Sequence, residues 1–372
     1  MSLKRFQFLL FLIILKAVTS SAGRIEASGS MLVASLWGNG EVVGFDMDAS
    51  SLLKWRLDTG ESSVSINPVD ESKVVLWTRS EILAVDSRTG KVLTRIVPQG
   101  GTNMTFYAVS TLSGGDVVSL LIRNESFYTL QRHSLSSGAL KWQHNLDLSN
   151  VNVMLQPCGD VISLIFSPVN WRENDAGKIV TVGGATGWMV FRGEDGAPIK
   201  TKLMSSEKVP PDQEVFCAGR RLCIRLNNRI WLLSGESGEE LGSLGRPDRF
   251  KRSAVWGENS IVLGYPDRIE IVDIPDLKKK TTINLPGFAG AFTIYGDLLD
   301  YGLGVCDLGT GKVVRKLPVQ MSNNYTRWAG IPFRNGTVFC SSRLGDYPKR
   351  AALFRSTVLS NDVVILYEEL RE

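Results

Sequence analysis

The sequence predicts an all-β protein, a single β-propeller of seven to eight four-stranded blades, with eight favoured. Three observations lead to this prediction. A short turn recurs along the chain, and from Ser51 in the first copy to Asn361 in the eighth the seven steps average about 44 residues. Short apolar runs flank most copies. Helical periodicity is nearly absent, because glycines and turn signals recur too often for long amphipathic segments.

The recurring turn has a polar or charged residue at its start and a glycine four places later. Glycine adopts positive φ without steric cost, and an Asp or Ser side chain can bond back to the turn backbone. Such a turn reverses the chain between two strands, and a period of roughly 40–45 residues is typical of a propeller blade. Five copies have the glycine: Gly90, Gly138, Gly196, Gly238 and Gly311. Three copies are degenerate, with Ser51, Leu277 or Asn361 at or near that position.

Apolar runs between the turns supply the remaining strands. Examples are "SKVVLW" (72–77), "VISLIF" (161–166) and "NSIVLG" (259–264). Their continuous hydrophobicity is typical of strands buried between blades. We expect the ring to close by pairing of the strand near Met31–Trp37 with C-terminal strands, which would remove an exposed edge.

Residues 1–22 are predicted to be a signal peptide, followed by the propeller over residues 23–372. A positively charged start precedes the apolar run Phe6–Leu15, and the small residues Ser20 and Ala22 suit cleavage after position 22. The alternative is a membrane anchor, but ten apolar residues are about half of what a spanning helix needs. No later stretch reaches that length, so no spanning helix is expected in the mature chain.

Four N-glycosylation motifs agree with a secretory route, in the endoplasmic reticulum lumen or beyond the cell. They begin at Asn103, Asn124, Asn324 and Asn335. Removal of residues 1–22 takes away three of the 42 basic residues and none of the 38 acidic ones, so the net charge falls from +4 to +1. This balance gives no reason to expect a nucleic acid as a partner.

Five cysteines follow the predicted signal peptide, so at least one of them is free or paired with another chain. Cys217 and Cys223 flank the segment "AGRRL". A three-residue turn at Gly219–Arg221 would set them opposite each other in a cross-strand disulfide. The alternative is a pair of buried thiols. Their spacing does not suit a zinc site.

No constellation of catalytic residues emerges from the sequence. Only two histidines exist, His133 and His144, and no third metal ligand is evident near them. We therefore expect no catalytic residue, no metal and no cofactor. Trp171 lies in the polar segment "PVNWREND", where an aromatic side chain can anchor a partner protein. The alternative is that Trp171 packs onto its own blade.

The repeat resembles that of pyrroloquinoline-quinone (PQQ)-type propellers. "AVDSRTGKVL" matches that repeat except that Thr94 replaces its tryptophan, whereas "HSLSSGALKW" and "MDASSLLKW" keep the tryptophan as Trp142 and Trp55. The resemblance implies that these two side chains pack against neighbouring blades. It also allows a secreted quinone-dependent dehydrogenase. Such enzymes hold calcium, and in many of them adjacent cysteines form a disulfide over the quinone, but this sequence has neither adjacent cysteines nor an evident calcium-binding cluster.

The signal peptide and the early repeats, "ILAVDSRTGKVLTRIV" and "SLSSGALKWQHNL", resemble the lumenal N-terminal propeller of endoplasmic reticulum membrane complex subunit 1. That subunit is much longer than this chain. The resemblance implies a non-catalytic scaffold that contacts other, membrane-associated protein subunits involved in membrane-protein insertion and folding. This scaffold function is our prediction from the sequence, and the dehydrogenase is the alternative.

Overall fold

A computed structural model describes the chain over 22 ranges. They are residues 24–35, 40–49, 52–61, 63–99, 103–112, 114–123, 127–149, 151–168, 171–173, 179–181, 186–204, 213–226, 228–245, 250–274, 276–285, 287–288, 292–301, 304–316, 325–333, 336–343, 350–357 and 363–370. The predicted signal peptide therefore lies outside the described residues. No helix long and apolar enough to span a bilayer occurs within these ranges.

The described chain consists of β-strands joined by turns and loops. In chain order they are β1 (Arg24–Ser28), β2 (Met31–Ser35), β3 (Glu41–Asp46), β4 (Leu53–Asp58), β5 (Ser65–Pro68), β6 (Lys73–Trp77), β7 (Ile82–Asp86), β8 (Val92–Ile96), β9 (Met104–Leu112), β10 (Asp116–Arg123), β11 (Phe127–Ser134), β12 (Leu140–Leu146), β13 (Val151–Cys158), β14 (Val161–Pro168), β15 (Trp171–Glu173), β16 (Ile179–Thr181) and β17 (Thr186–Arg192). They continue as β18 (Pro198–Met204), β19 (Gln213–Ala218), β20 (Arg221–Leu226), β21 (Arg229–Ser234), β22 (Glu240–Gly245), β23 (Arg252–Trp256), β24 (Ser260–Gly264), β25 (Arg268–Asp273), β26 (Lys279–Asn284), β27 (Thr293–Tyr295), β28 (Leu298–Asp300), β29 (Gly304–Asp307), β30 (Val313–Lys316), β31 (Tyr325–Phe333), β32 (Gly336–Arg343), β33 (Arg350–Thr357) and β34 (Val363–Leu370).

Within the described ranges, the strands form eight four-stranded antiparallel sheets and one two-stranded ribbon, β15–β16. The protein thus has the predicted all-β propeller fold, and each four-stranded sheet is a blade. Blade 1 is β1–β4, blade 2 is β5–β8, blade 3 is β9–β12, and blade 4 is β13, β14, β17 and β18. Blades 5, 6, 7 and 8 are β19–β22, β23–β26, β27–β30 and β31–β34.

The chain divides into two compact units, which are described separately. One unit comprises residues 1–97 and 318–372 and contains blades 8, 1 and 2, whose first strands lie side by side as β31, β1 and β5. Its core fills the space between blades 1 and 2, where Val33 and Trp55 meet Val74 and Leu83. The apolar faces of two sheets are thereby buried against each other.

The other unit comprises residues 98–317 and contains blades 3 to 7. The first strands of neighbouring blades again lie together, in the order β9, β13, β19, β23 and β27. A separate apolar cluster fills each of the four junctions from blades 3–4 to blades 6–7. The second strands supply much of this core, and every residue of β14 is buried, as expected for "VISLIF".

The prediction that the strand near Met31–Trp37 pairs with C-terminal strands to close the ring is wrong. The strand Met31–Ser35 pairs with β1 and β3 of its own blade, whereas β31 pairs with β32. The reason is that Arg24–Ser28 already supplies a first strand, so the N-terminal segment completes a whole blade. β1 packs beside β31 without sharing a sheet with it.

The recurring turn joins the third and fourth strands of a blade. All five predicted glycines have φ between 71° and 74°, and Leu277 takes their place with φ 55°. At the best-preserved copy, the Gly90 amide donates to the Asp86 carbonyl, and the Asp86 carboxylate accepts bonds from the Thr89 hydroxyl and amide. These bonds hold the pKa of Asp86 below its usual value. Asp86 and Gly90 therefore shape a turn.

Candidate functional site

At a blade junction, the recurring turn of one blade and the fourth strand of the preceding blade together form a socket. Between blades 1 and 2, the Trp55 ring covers Gly90 so closely that a Cβ there would lie 2.7 Å from the ring. The Trp55 indole N–H donates to the Ser87 carbonyl at 2.8 Å. This socket thus recognises an indole in two ways, by a ring surface over glycine and by one carbonyl acceptor.

The junction between blades 3 and 4 repeats the arrangement. The Trp142 ring covers Gly196, where a Cβ would also lie 2.7 Å away, and its N–H donates to the Gly193 carbonyl at 3.1 Å. Gly193 holds the same turn position as Ser87. The predicted packing of Trp55 and Trp142 against neighbouring blades is confirmed.

Two other junctions fill the corresponding space differently. Between blades 4 and 5, Ile199 reaches the turn, and a Cβ on Gly238 would meet its Cγ2 at 3.2 Å. Between blades 5 and 6 the large residue lies in the turn and the glycine lies on the preceding fourth strand. There Gly242 holds the tryptophan position, and Leu277 of the turn fills the gap, 3.3 Å from an added Cβ on Gly242.

The junction between blades 6 and 7 contains an open cavity of about 440 Å³. On blade 6, Thr281 of the fourth strand pairs with Ile271 next to a β-bulge. Trp142 and Trp55 hold the equivalent position next to the β-bulge of their own blades, where they pair with Arg132 and Gly44, respectively. Thr281 therefore holds the tryptophan position but is too small to cover the turn. An added Cβ on Gly311 would meet Ile283 at an ordinary 3.5 Å and no ring. We call this cavity the open socket.

The open socket combines an apolar floor with polar rims. Ile283 and Leu308 are buried, and Trp256 is fixed by a 3.1 Å bond from its indole N–H to Asp297. The other lining residues are Ile271, Lys280, Thr281, Thr282, Asn284, Gly309, Thr310 and Gly311. Leu308 holds the turn position of Ser87 and Gly193, whose carbonyls accept an indole N–H in the filled sockets. The cavity size lies within the range of ligand sites.

A second, smaller cavity of about 300 Å³ lies on blade 3. Side chains of Gln143 and Asn145 line it, and the Arg123 guanidinium lies 5.5 Å from the ring centre of the exposed Phe127. Nothing in the turn pattern indicates this cavity, because its lining comes from the strand ends and not from the repeat motif.

The predicted glycosylation sites are only partly described. Asn103 is exposed in the turn before β9 and has φ 74°, so its side chain is accessible. Asn124, Asn324 and Asn335 lie outside the described residues. Glycosylation itself stays a prediction.

The expected disulfide between Cys217 and Cys223 is wrong. Cys217 is bonded to Cys158 with a Cα–Cα distance of 5.4 Å, and Cys223 is a buried free thiol. The turn between β19 and β20 has two residues instead of the expected three, so Cys217 pairs with Leu222 and not with Cys223. This one-residue difference points the two cysteines to opposite faces of the sheet. The observed disulfide joins the first strands of blades 4 and 5.

Trp171 lies on the ribbon β15–β16, inserted between β14 and β17 of blade 4, and pairs with Thr181. This ribbon interrupts the repeat where the sequence is least repeat-like. The side chain of Trp171 lies outside the described part of the structure, so its role as a partner contact stays a prediction.

The two histidines have separate neighbours. His133 is buried, with its Nε2 3.1 Å from the Gln131 side-chain oxygen, and burial lowers its pKa. His144 contacts the edge of Phe191 with ring centres 5.7 Å apart. Among the described residues, no three His, Cys, Asp or Glu side chains are grouped to hold a metal ion.

Arg225 is a feature that the sequence did not reveal. Arg225 carries a charge, yet it is only 1% exposed. Its guanidinium bonds to Glu214 at 2.8 Å and stacks 4.2 Å from the ring centre of Phe250. Glu214 also accepts a bond from the Ser253 amide at 2.8 Å. The ion pair lies within blade 5, and the contacts of Arg225 with Phe250 and of Glu214 with Ser253 connect it to the segment that begins blade 6.

Comparison with solved structures agrees with the fold. The chain is similar to dihydro-heme d1 dehydrogenase NirN in complex with DHE, with a TM-score of 0.61, 14% identity and coverage of 94% of this chain and 75% of that one. It is also similar to a europium-containing methanol dehydrogenase, with a TM-score of 0.54, 12% identity and coverage of 87% and 84%. At these identities the likeness shows a β-propeller fold alone. No protein-family model and no curated protein matches the sequence.

Proposed function

We propose that the chain is a non-catalytic interaction scaffold that holds other proteins through its blade junctions and inserted ribbon. The observation that carries this proposal is the open socket between blades 6 and 7. It offers about 440 Å³ of space at a position that the protein's own tryptophans fill at other junctions. A binding surface of mixed apolar and polar character suits contact with another protein.

The cellular setting that we propose is the secretory pathway, in the lumen of the endoplasmic reticulum, with membrane-associated subunits of the membrane protein complex as partners. The signal-peptide pattern, the four glycosylation motifs and the resemblance of the early repeats support this setting. Connections carried on a rigid scaffold commonly contact partners, and the β15–β16 ribbon lies in the connection between β14 and β17 of blade 4.

Affinity purification tests the proposal. The full chain, expressed with its N-terminal segment in eukaryotic cells, is purified from detergent-solubilised membranes and its partners are identified by mass spectrometry. We expect recovery of membrane complex subunits well above the level obtained with an unrelated secreted propeller as control. Recovery of no such subunit would reject the proposed setting.

A direct assay separates the scaffold from the dehydrogenase. The purified chain is incubated with Ca²⁺, pyrroloquinoline quinone, an alcohol substrate and a redox dye. The scaffold is expected to reduce no dye above the protein-free control. Substrate-dependent dye reduction would instead establish an enzyme.

A further inference from the structure

We propose that the open socket binds the indole side chain of a tryptophan from a partner protein. This inference rests on the proposed scaffold function and names the chemistry of the partner. Its basis is internal to the molecule, because the same kind of socket is filled at two other junctions by an indole of the chain itself.

The first argument is shape. In the filled sockets the ring lies flat over a turn glycine that has φ near 72°, and no side chain stands between ring and backbone. Gly311 has φ 71° and presents the same bare backbone. Thr281 leaves the ring volume empty, and the cavity of about 440 Å³ lies there.

The second argument is hydrogen bonding. The indole N–H of Trp55 and of Trp142 finds a carbonyl in the second residue of the turn. Leu308 is that residue in blade 7, and its amide is fixed by a 2.8 Å bond to the Asp297 carbonyl. The equivalent amides, of Ser87 and Gly193, are fixed in the same way. The turn is therefore held in the geometry that receives an indole elsewhere in the chain.

The third argument is access. Thr281, Thr282 and Gly309 are exposed on the rim, whereas Ile283 and Leu308 are buried at the floor. A side chain from outside can enter without displacing the blade. Burial of an aromatic ring in such a pocket is typical of the side chains that dominate the affinity of protein interfaces. Phenylalanine would leave the carbonyl without a donor, so indole is the favoured ring.

The test uses N-acetyl-L-tryptophanamide as the probe and the full secreted chain as the receptor, with binding followed by ligand-observed NMR. We expect a dissociation constant on the order of 1 mM, as one side chain contributes, and no detectable binding of N-acetyl-L-alaninamide. The 1-methylindole analogue, which lacks the N–H, should bind about two- to tenfold more weakly.

The deciding variant is Thr281→Trp, which places an indole of the chain itself in the socket. We expect the probe to bind this variant at least about tenfold more weakly. The control variant is Leu241→Trp, which adds the same side chain on blade 5, at a position that is 54% exposed. Leu241 is the β-bulge residue of blade 5, as Lys280 is the β-bulge residue of blade 6. The control should bind the probe like the original chain.

Equal binding by the original chain and Thr281→Trp would overturn the proposal, and so would absence of binding by the original chain. If Thr281→Trp lacks the β-sheet circular dichroism of the original chain, Thr281→Phe replaces it with the same criteria. If the chain does not bind the indole probe but recovers membrane subunits in the affinity purification, the indole socket is rejected and the scaffold function is retained. Indole binding without such subunits rejects only the cellular setting.

Discussion

Thr281 and Gly311 flank an open cavity at the position where Trp142 covers Gly196 three junctions earlier. The two turns have nearly the same backbone, with φ 71° at Gly311 and 74° at Gly196. What differs is the residue on the preceding fourth strand. At these two junctions, the tryptophan at position 142 fills the socket, whereas the threonine at position 281 leaves it open.

The filled sockets are expected to stabilise the fold. Trp55→Ala removes a ring that is 8% exposed, so it should lower the free energy of unfolding by about 3–5 kcal/mol. Trp55→Phe retains a ring but loses the bond to Ser87, and should cost less. Urea denaturation followed by circular dichroism measures both. Equal losses for the two variants would show that ring packing contributes nothing beyond the hydrogen bond.

The Trp55→Ala variant also offers a rescue experiment. Its empty socket should accept free indole, because a preformed apolar cavity binds a ligand that matches its shape. Added indole should therefore raise the urea midpoint of Trp55→Ala and leave that of the original chain nearly unchanged. An equal effect of indole on both proteins would contradict a specific site.

The disulfide between Cys158 and Cys217 should contribute measurably to stability. It closes a loop with a sequence separation of 59 residues. The double variant Cys158→Ser, Cys217→Ser should lose about 2–5 kcal/mol of unfolding free energy. Cys223→Ser is the control that leaves the disulfide intact. Non-reducing peptide mapping should recover Cys158 linked to Cys217, and a Cys217–Cys223 peptide would contradict the pairing.

Burial of His133 predicts a loss of stability in mild acid. Desolvation lowers its pKa in the folded chain below the usual 6.5, so the folded state binds a proton less readily than the unfolded state. The contribution of neutral His133 to the free energy of unfolding is present above pH 6.5 and is lost as the pH falls through the pKa of His133 in the folded chain. The unfolding free energy of His133→Gln should fall less between pH 7 and pH 5 than that of the original chain. Parallel pH profiles would show that His133 does not titrate on unfolding.

Exposure of Asn103 predicts glycan attachment there. Thr105→Ala removes the motif without altering Asn103, whereas Thr105→Ser keeps it. On expression through the secretory pathway, only Thr105→Ala should lose one glycan. Glycosidase digestion and intact mass spectrometry measure this loss. Identical masses after correction for the substitution would show that Asn103 is unmodified.

The sequence predicted the turns and blades well because their information is local. A glycine four residues after a polar residue reports positive φ directly, as Gly90 and Gly311 confirm. The cysteine pairing could not be predicted in this way. It depends on whether the turn after Ala218 has two or three residues, and one residue reverses the face of each side chain.

The open socket was also beyond a reading of local sequence. Its floor and rim come from four separate parts of the chain, namely Trp256, Ile271, residues 280–284 and residues 308–311. The sequence signal for the open socket is the threonine at position 281, where other blades have a tryptophan. This signal indicates a cavity only when it is known that no other side chain covers Gly311 in the neighbouring turn. The burial of Arg225 has a similar cause, since its partner Glu214 lies on the adjacent strand.

Recovery of partner subunits by three matched proteins tests the central claim most directly. The original chain, Thr281→Trp and Leu241→Trp are purified side by side from detergent-solubilised membranes, and each partner is quantified by mass spectrometry. We predict that membrane complex subunits accompany the original chain and Leu241→Trp, and that their recovery with Thr281→Trp falls at least about tenfold. Equal recovery with all three proteins would contradict the claim that the open socket between blades 6 and 7 holds a partner.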